Sequence, residues 1–418
     1  MPVCSFCGNN EHNRIALIEG PDGLFICNEC IELCSEILER SNLVQRKTNN
    51  NVLHMDASSS KIDFTPKSIV DKLNEYVVSQ DKAKKVLAVT IYNHYKKIIL
   101  NKQDKHIKKS NLLLVGPTGT GKTYLLKQVS SMLQLPFITI DTSQLTPRGY
   151  KGSSISDAWA RLYNKCEGNV ERMQNAIVYL DEVDKMFSAN SSAAKEFYSA
   201  IQSELLKILE DGEISFTINS SYGKDTEVTI DSSNMLFIFG GAFSGIESIV
   251  EKRLGLSTKN SIGFGSSSNV ISLDKKKELI SQTKVEDLVE YGLLPEFVGR
   301  ISNIVNLEPL TETDLVNIMT NTKDNVISQY KTLFEFDGVK LTFEPDALKE
   351  IAKKAIENNT GARGLNTIVD SAMLDLMYDI PESNIKSCKI TKNFINGTEP
   401  AKITKLRSKK TSSIENNA

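Results

Sequence analysis

Short apolar runs alternate with helical patterns in the middle of the chain. The clearest runs cover residues 112–115, 137–140, 177–180 and 235–239. Each run is followed by loop or helix signals, which predicts parallel β-strands flanked by α-helices. In open α/β sheets of this kind, ligands bind at the carboxyl ends of the strands. The pattern therefore predicts a ligand site at that edge of the sheet.

Helical patterns dominate the regions around this sheet. An amphipathic run at residues 29–38 predicts a short helix, and residues 83–100 have helical spacing. Between these two helices lies a stretch rich in Asn and Ser that predicts a flexible linker. After residue 311 the helical patterns cover residues 313–333, 345–358 and 362–378. They predict a smaller, mainly helical domain at the end of the chain.

Composition limits the classes of protein to which the chain can belong. A length of 418 residues suits two or three domains, and 40% hydrophobic content is close to the globular average. The formal net charge of -2 provides no broad basic surface for nucleic acid or an anionic membrane. The first residues lack a signal-peptide pattern, and no apolar run reaches the roughly 18–20 residues of a membrane span. We therefore expect a cytoplasmic protein that binds neither nucleic acid nor membranes.

Cysteines are concentrated near the N-terminus in two C-x-x-C pairs. Cys4 and Cys7 form the first pair, and Cys27 and Cys30 form the second. Their separation is typical of a zinc ribbon, in which four thiolates surround one tetrahedral Zn²⁺ ion. The alternative is a small helical cap with reduced structural cysteines. A site closed by four cysteines leaves no position for a substrate, so the zinc is expected to be structural.

A phosphate-binding loop follows the first predicted strand of the sheet. Its residues are Gly116, Pro117, Thr118, Gly119, Thr120, Gly121, Lys122 and Thr123, with Tyr124 next to them. The pattern predicts that backbone N–H groups and Lys122 bind the phosphates of ATP and that the Thr123 hydroxyl binds Mg²⁺. A chance match is a poor alternative because the loop follows a strand and precedes a helical pattern.

Two carboxylates end the apolar strand at residues 177–180. Asp181 and Glu182 lie where a Walker B element is expected behind a phosphate-binding loop. Asp181 is predicted to help hold Mg²⁺, and Glu182 to polarise the water that attacks the γ-phosphate. The predicted chemistry is therefore ATP hydrolysis. The four histidines lie outside the motif loops, and no serine, histidine and aspartate arrangement suggests peptidase activity.

Further motifs resemble those of the ClpX family, the AAA+ unfoldase subunits of the Clp protease. Besides the zinc pairs and the nucleotide motifs, they occupy residues 83–89, 92–96, 239–243, 262–265, 292–300 and 360–365. The resemblance runs from Cys4 to about residue 381. It implies an α/β P-loop AAA+ domain with a parallel sheet and a helical small domain, preceded by a small zinc-binding domain.

The resemblance also implies domain limits, which agree with the pattern. We predict a zinc-binding domain at residues 1–40, a flexible linker at 41–62, a large AAA+ ATPase domain at 63–310, a small helical AAA+ domain at 311–400 and a disordered tail at 401–418.

The resemblance also assigns roles to residues at four further places in this sequence. Arg300 matches the arginine finger that reaches the nucleotide of a neighbouring subunit, and Arg363 matches sensor 2. Tyr150 and Lys151 lie where the family has its pore loop, which grips an unfolded polypeptide. Ile262, Gly263 and Phe264 match the loop that docks on the ClpP peptidase. A finger acting in trans implies a ring, and the resemblance implies a homohexamer that unfolds tagged proteins, receives them from adaptors and threads them into ClpP.

Several positions depart from the family pattern. Lys151 replaces an apolar residue after the pore tyrosine, residues 193–198 replace a Gly-rich loop, and the Arg-Lys-His loop is missing from residues 215–228. Val78, Ser79 and Gln80 replace Ile-Gly-Gln near the adenine, and no polar sensor-1 residue can be assigned. These departures leave two alternatives to a ClpP-dependent unfoldase. One is a remodelling chaperone that works without ClpP, and the other is a zinc-bearing, nucleotide-sensing binding module.

Overall fold

The computed structural model describes residues 3–7, 17–19, 23–40, 64–101, 107, 109–133, 135–145, 154–187, 192–210, 212–219, 225–256, 273–382 and 384–405. The chain divides into two compact units, Met1–Val52 and Leu53–Ala418.

The first unit is a small antiparallel hairpin followed by one helix. Its strands are β1 (Leu17–Glu19) and β2 (Phe25–Cys27), and its helix is α1 (Asn28–Arg40). The helix was predicted at residues 29–38 and extends slightly beyond those limits at both ends. Among the described residues of this unit, the buried ones that pack together are three cysteines, Cys4, Cys27 and Cys30.

The second unit is built on a mixture of strands and helices. Its strands are β3 (Asn111–Val115), β4 (Phe137–Asp141), β5 (Ile177–Asp181), β6 (Glu213–Asn219), β7 (Asp225–Asp231), β8 (Leu236–Gly241), β9 (Ile301–Asn306), β10 (Lys340–Phe343), β11 (Ile385–Ile390) and β12 (Lys402–Lys405). Its helices are α2 (Pro66–Asn74), α3 (Asp81–Asn101), α4 (Lys122–Leu133), α5 (Ile155–Lys165), α6 (Val170–Gln174), α7 (Ser192–Leu209), α8 (Ile246–Arg253), α9 (Leu273–Ser281), α10 (Val285–Tyr291), α11 (Pro295–Val298), α12 (Glu312–Thr320), α13 (Val326–Phe336), α14 (Pro345–Glu357), α15 (Ala362–Asp379) and α16 (Lys392–Ile395).

A five-stranded parallel sheet forms the centre of the large domain. Its strand order is β4-β5-β8-β3-β9, and every neighbouring pair is parallel. The four strands predicted from the sequence are all present, which confirms the α/β fold with a parallel sheet. The fifth strand, β9, was not predicted. It lies at the edge of the sheet, where the exposed Ser302 and Asn303 interrupt its apolar pattern.

Successive side chains of β3 are buried on opposite faces of this sheet. Leu112 and Leu114 pack in an apolar cluster with residues of α2, α3 and α4. Leu113 and Val115 belong to a second cluster with residues of α5, α7, α8 and α10. Because successive side chains of a strand point to opposite faces, a continuous apolar run is what a doubly covered strand requires. The large domain therefore has three layers, with the sheet in the middle.

The small domain adds a three-stranded sheet to its helices. β10 pairs in parallel with β11, which pairs antiparallel with β12. The helical pattern at residues 313–333 divides into α12 and α13, and Asp324 between them has a left-handed backbone with φ 58°. Residues 402–405 form β12, and this differs from the disordered tail predicted there. All four of its residues are exposed, so an edge strand of this kind has the polar composition of a tail.

Candidate nucleotide-binding site and zinc centre

The predicted phosphate-binding loop lies at the carboxyl edge of the parallel sheet. It connects β3 to α4, in the centre of the sheet. Asp181 is the last residue of β5, and Gly241 is the last residue of β8, the strand between β5 and β3. The edge that the apolar pattern predicted as a ligand site is therefore the edge at which these motifs meet.

Lys122 is buried among the backbone carbonyls of its own loop. Its Nζ atom donates hydrogen bonds to the carbonyl oxygens of Gly116 at 2.6 Å and Pro117 at 3.0 Å. Burial lowers the pKa of Lys122 to about 8, while the nearby carboxylate of Asp181 acts in the opposite direction. A buried ammonium held by carbonyls is well suited to exchange those partners for phosphate oxygens.

A hydroxyl and a carboxylate meet directly beside Lys122. The Thr123 Oγ1 atom donates to Asp181 Oδ2 at 2.7 Å. The other oxygen, Asp181 Oδ1, accepts hydrogen bonds from the Tyr179 hydroxyl at 2.9 Å and from the Glu182 amide at 3.0 Å. Oxygen donors of these two types are what Mg²⁺ prefers. Thr123 and Asp181 therefore fit a magnesium ion, and Tyr179 and the Glu182 amide orient the carboxylate.

Glu182 occupies an unusual backbone conformation immediately after this strand. Its φ of 58° and ψ of 31° lie in the left-handed region, which a residue with a side chain enters at some cost in energy. Such local strain is frequent at functional sites. Glu182 is half-buried and immediately precedes the short helical turn Val183–Met186.

Two side chains that the sequence analysis did not single out support these carboxylates. Asp184 is buried and accepts hydrogen bonds from the amides of Ala242 at 3.2 Å and Phe243 at 3.3 Å. Tyr179 is also buried, and a Cβ atom at Gly240 would lie 2.2 Å from its hydroxyl oxygen. Glycine at the end of β8 is therefore required by the tyrosine beside it. This explains why no polar sensor-1 side chain was found at that end of the strand.

A cavity of about 320 Å³ opens in front of the loop and is lined by both the large and the small domain. The large domain contributes Tyr76, Val77, Val78 and residues 119–124. The small domain contributes Leu310, Ile318, Met319, residues 322–326, Ala362, Arg363, Leu365 and Asn366. The apolar residues among them can cover a base, and the loop can hold phosphates. The contribution of the helix α12 and the turn after it was not apparent in the sequence.

The small domain also contacts the phosphate-binding loop directly. The amide of Ala362, the first residue of α15, donates to the carbonyl oxygen of Gly119 at 3.1 Å. A Cβ atom at Gly119 would lie 2.3 Å from the carbonyl oxygen of Thr360, and the φ of this glycine is +80°. Only glycine allows this approach without displacement of the neighbouring backbone. The loop and the start of α15 therefore meet backbone to backbone.

The two predicted arginines lie in different places. Arg363 lines the cavity. Arg300 does not line it: its side chain is about half exposed and forms an ion pair of 2.5 Å with Glu210. Its carbonyl oxygen accepts a hydrogen bond from Asn111 at the first residue of β3. Arg300 therefore lies at the amino edge of the sheet, away from the phosphate-binding loop of its own chain by about the 16 Å length of a five-residue strand.

The four predicted zinc ligands converge in the first unit. The sulfur atoms of Cys4, Cys7, Cys27 and Cys30 all lie within 4.8 Å of one another. Cys4 Sγ is 3.9 Å from Cys30 Sγ, and Cys7 Sγ is 3.7 Å from Cys27 Sγ. In a tetrahedral site with Zn–S bonds of about 2.3 Å, sulfur atoms are about 3.8 Å apart. The spacing of the sulfurs therefore fits a zinc ion.

Hydrogen bonds from the backbone prepare these sulfurs for metal binding. The Cys27 amide donates to Cys4 Sγ at 3.3 Å, and the Cys30 amide donates to Cys27 Sγ at 3.4 Å. Hydrogen bonds from the backbone, that from Cys7 above all, lower the pKa of Cys4 to about 6. The neighbouring sulfur of Cys27 and burial raise the pKa of Cys30 above its usual range. Four adjacent thiols resist joint ionisation, and a divalent cation is what allows it.

Five predicted functional residues lie outside the described residues. They are Tyr150 and Lys151 of the pore loop and Ile262, Gly263 and Phe264 of the docking loop.

Comparison with known proteins agrees with this geometry. Residues 2–40 match the ClpX C4-type zinc finger, and residues 107–304 match the AAA domain of the Cdc48 subfamily. Residues 310–389 match the C-terminal, D2-small domain of ClpB protein. The chain is 37% identical to a protein of Treponema denticola named ATP-dependent Clp protease ATP-binding subunit ClpX, over 98% of the chain and 97% of that relative.

The chain belongs to the ClpX family. This confirms the resemblance found in the sequence and, with it, an AAA+ nucleotide-binding domain behind a zinc finger. No helix among the described residues of this chain is long and apolar enough to cross a membrane.

Proposed function

We propose that this ClpX family member is an ATP-driven protein unfoldase that works as a homohexamer. The single observation that carries the proposal is the meeting of Lys122, the Thr123–Asp181 pair and Glu182 at one edge of the sheet. Together they provide a phosphate ligand, a magnesium site and a carboxylate for a water molecule. The ATPase activity follows from this site, whereas unfolding is inferred from the family to which the chain belongs.

In the proposed mechanism, each side chain has its own role in binding or hydrolysing ATP. Lys122 leaves the carbonyls of Gly116 and Pro117 to bind phosphate oxygens. Thr123 and Asp181 would hold Mg²⁺, which would supply positive charge beside the phosphates. Glu182, fixed by its left-handed backbone just after β5, orients the attacking water and accepts its proton. Arg363 stabilises the phosphates from the small domain, since it lines the cavity next to Ala362, whose amide bonds to the phosphate-binding loop.

Arg300 supports the proposal that the active form is a ring. Its backbone lies at the amino edge of the sheet, about one strand length from the phosphate-binding loop of its own chain. An arginine finger in that place can serve only the nucleotide of an adjacent subunit. Its ion pair with Glu210 is exposed and therefore weak enough to be exchanged for a phosphate contact.

The experiment compares the wild-type protein with Glu182→Gln in ATP hydrolysis, nucleotide binding and unfolding of a tagged fluorescent protein. We expect the variant to lose hydrolysis and unfolding by a factor of about 10²–10⁴, because the general base is removed, and to keep nucleotide binding. Equal unfolding by both proteins would exclude Glu182 from this role. A wild-type protein that stays monomeric with ATP and Mg²⁺ and releases no phosphate would exclude the motor altogether.

We further propose that the unfolded chain passes to a ClpP peptidase, since the relative from Treponema denticola is named as a subunit of the Clp protease. Tyr150 and Lys151 are proposed to contact the translocating chain, and Ile262, Gly263 and Phe264 to dock on ClpP. With ClpP present, Phe264→Ala is expected to abolish degradation and to leave ATP hydrolysis intact. Phe6→Ala, which changes an exposed phenylalanine of the zinc unit, is the matched control. Degradation by Phe264→Ala at the wild-type rate would contradict the docking role.

A further inference from the structure

A six-residue segment of the large domain contacts the small domain at both ends of helix α12. We call residues 75–80 the clamp segment. At one end, the Ser79 hydroxyl donates a short hydrogen bond to Asp314 Oδ1, in the first turn of α12. At the other end, Lys323 in the turn after α12 bonds to Glu75 twice, through its amide to the carbonyl oxygen and through its ammonium to the carboxylate, both at 2.8 Å. The helix is thus fastened to the large domain at both ends.

The backbone of the clamp segment is held in a costly conformation. Ser79 has a φ of 55° and Gln80 a φ of 60°, both in the left-handed region that favours glycine. Such a residue persists only where its surroundings hold it. Gln80 is held by a reciprocal pair with the backbone of Glu308, donating to its carbonyl oxygen at 2.7 Å and accepting from its amide at 3.0 Å. Ser79 is held by Asp314.

Asp314 divides its two oxygens between its own helix and the large domain. Its Oδ2 atom accepts hydrogen bonds from the Thr311 amide at 2.9 Å and the Thr311 hydroxyl at 2.7 Å, which completes the capping box of α12. Its Oδ1 atom accepts the bond from Ser79. The Ser79 contact therefore reaches the rigid N-terminal turn of the helix, and not a side chain that moves by itself.

The opposite end of α12 forms a wall of the nucleotide cavity. Ile318 and Met319 lie in its last turn and line the cavity, and Val77 and Val78 of the clamp segment also line it. Whatever fixes α12 against the clamp segment therefore also fixes the distance between these two apolar walls. Ser79 follows Val77 and Val78 in sequence, and its hydroxyl is bonded to α12, the helix that carries the other apolar residues.

We propose that Ser79 is a positioning residue, which sets the affinity for ATP by fixing α12 across the nucleotide cavity through Asp314. The inference rests on the proposed function, because it assigns the effect to the ATP site. Ser79 does not touch the phosphates, so the residue acts through the width of the cavity. Loss of its hydroxyl lowers the population of the closed cavity and leaves the hydrolytic carboxylates in place.

The experiment measures ATP hydrolysis by the full-length ring for wild type, Ser79→Ala and Ser79→Gly. Alanine removes the hydroxyl and keeps the strained backbone, whereas glycine removes the hydroxyl and relieves the strain. We expect both variants to raise the ATP concentration at half-maximal rate about 3–10-fold with kcat within about twofold, since one hydrogen bond to a charged group is lost. Ser131→Ala, which removes an exposed hydroxyl bonded within α4, is the matched control and should leave both constants unchanged.

Two further measurements separate positioning from a general structural effect. In the Asp314→Ala background, Ser79→Ala should change the half-saturating concentration less than about twofold, because the partner is already absent. Hydrogen exchange of the α12 amides should accelerate in Ser79→Ala, and that of α4 should not. A change confined to kcat, an unchanged exchange rate in α12, or the same effect of Ser79→Ala with and without Asp314 would each overturn the inference.

Failure of the proposed function would be recognised separately. If the wild-type protein hydrolyses no ATP, the proposed motor is wrong, and binding of a fluorescent ATP analogue replaces hydrolysis as the readout for Ser79. Weaker binding and faster α12 exchange in Ser79→Ala would then still support the positioning role, and unchanged binding would overturn it.

Discussion

Among the described residues of the zinc unit, few side chains besides cysteines are buried, whereas the ATPase unit encloses its sheet between two large apolar layers. In the described part of the zinc unit, the packed cluster consists of Cys4, Cys27 and Cys30 with Leu17 and Ile26 beside it. In the ATPase unit, each face of the sheet is covered by a cluster of more than twenty buried residues. The contrast shows two ways to stabilise a fold: by bonds to one metal ion, or by burial of apolar surface away from water.

Removal of zinc should therefore unfold one unit and spare the other. Structural zinc contributes about 10–16 kcal/mol in small zinc peptides, more than the zinc unit can gain from its few apolar contacts. We expect Cys27→Ser to lose the metal and the hydrogen-exchange protection of residues 23–40, and to leave the melting of the ATPase unit unchanged.

The control for this variant is Cys34→Ser, which changes a cysteine of helix α1 outside the four-sulfur cluster. It should keep the metal. Retained protection of residues 23–40 in metal-free Cys27→Ser would show that the few apolar contacts are sufficient, and the contrast between the units would fail.

The ATPase unit should instead respond to the loss of buried volume. Leu114 is completely buried in the middle of β3, so Leu114→Ala should destabilise this unit by about 2–5 kcal/mol. Leu374→Ala makes the same chemical change at a side chain that is 67% exposed and should cost less than about 0.5 kcal/mol. Urea titration followed by circular dichroism measures both. Equal midpoints for the two variants would contradict the importance of the apolar layers.

The burial of Lys122 in the ATPase unit is expected to have a smaller effect, which is a change of ATP affinity with pH. The zinc unit has no equivalent of this effect. Because its pKa is lowered to about 8, this lysine is charged at pH 7 and mostly neutral at pH 9 in the free protein. Phosphates bind the charged form, so the affinity for ATP should fall roughly tenfold between pH 7 and pH 9. Above pH 8 the terminal phosphate is fully ionised and adds little to this change.

Calorimetry tests the same titration without a variant. Binding of ATP at pH 8 should take up about half a proton as Lys122 becomes fully charged, and this is measured in two buffers of different ionisation enthalpy. Binding without proton uptake would contradict the low pKa. Lys122→Arg, whose guanidinium stays charged over this range, should bind with no pH dependence from this position.

The sequence predicted those parts of the fold whose patterns are local. The four strands that the sequence predicted are continuous apolar runs because both of their faces are covered, and the phosphate-binding loop is fixed by its own glycines. β9 and β12 were missed because each is an edge strand that carries exposed polar residues. The exposed Ser302 and Asn303 of β9 and the exposed lysines of β12 are what an edge strand tolerates and what a loop also contains.

The residues of the candidate site also fall into two groups: those that local motifs predicted and those that only the three-dimensional structure reveals. Lys122, Asp181 and Glu182 were found because they lie in short motifs with known spacing. Tyr179 was missed because its hydroxyl lies in a strand that is otherwise apolar, and only the pairing with β8 explains the adjacent Gly240. Ser79 was identified in the sequence only as part of a departure from the family pattern near the adenine. Its backbone conformation and its bond to Asp314, 235 positions away, appear only in three dimensions.

The hydrogen bond between Gly119 and Ala362 has a consequence for protein turnover in the cell. A nucleotide in the cavity contacts both domains, so it binds the joined arrangement and not the separated one. By mass action, a ligand at one hundred times its dissociation constant adds about 2.7 kcal/mol to the state that it binds. When the nucleotide pool is depleted, the joint between the domains would loosen first, and starving cells would then expose this chain to their own proteases.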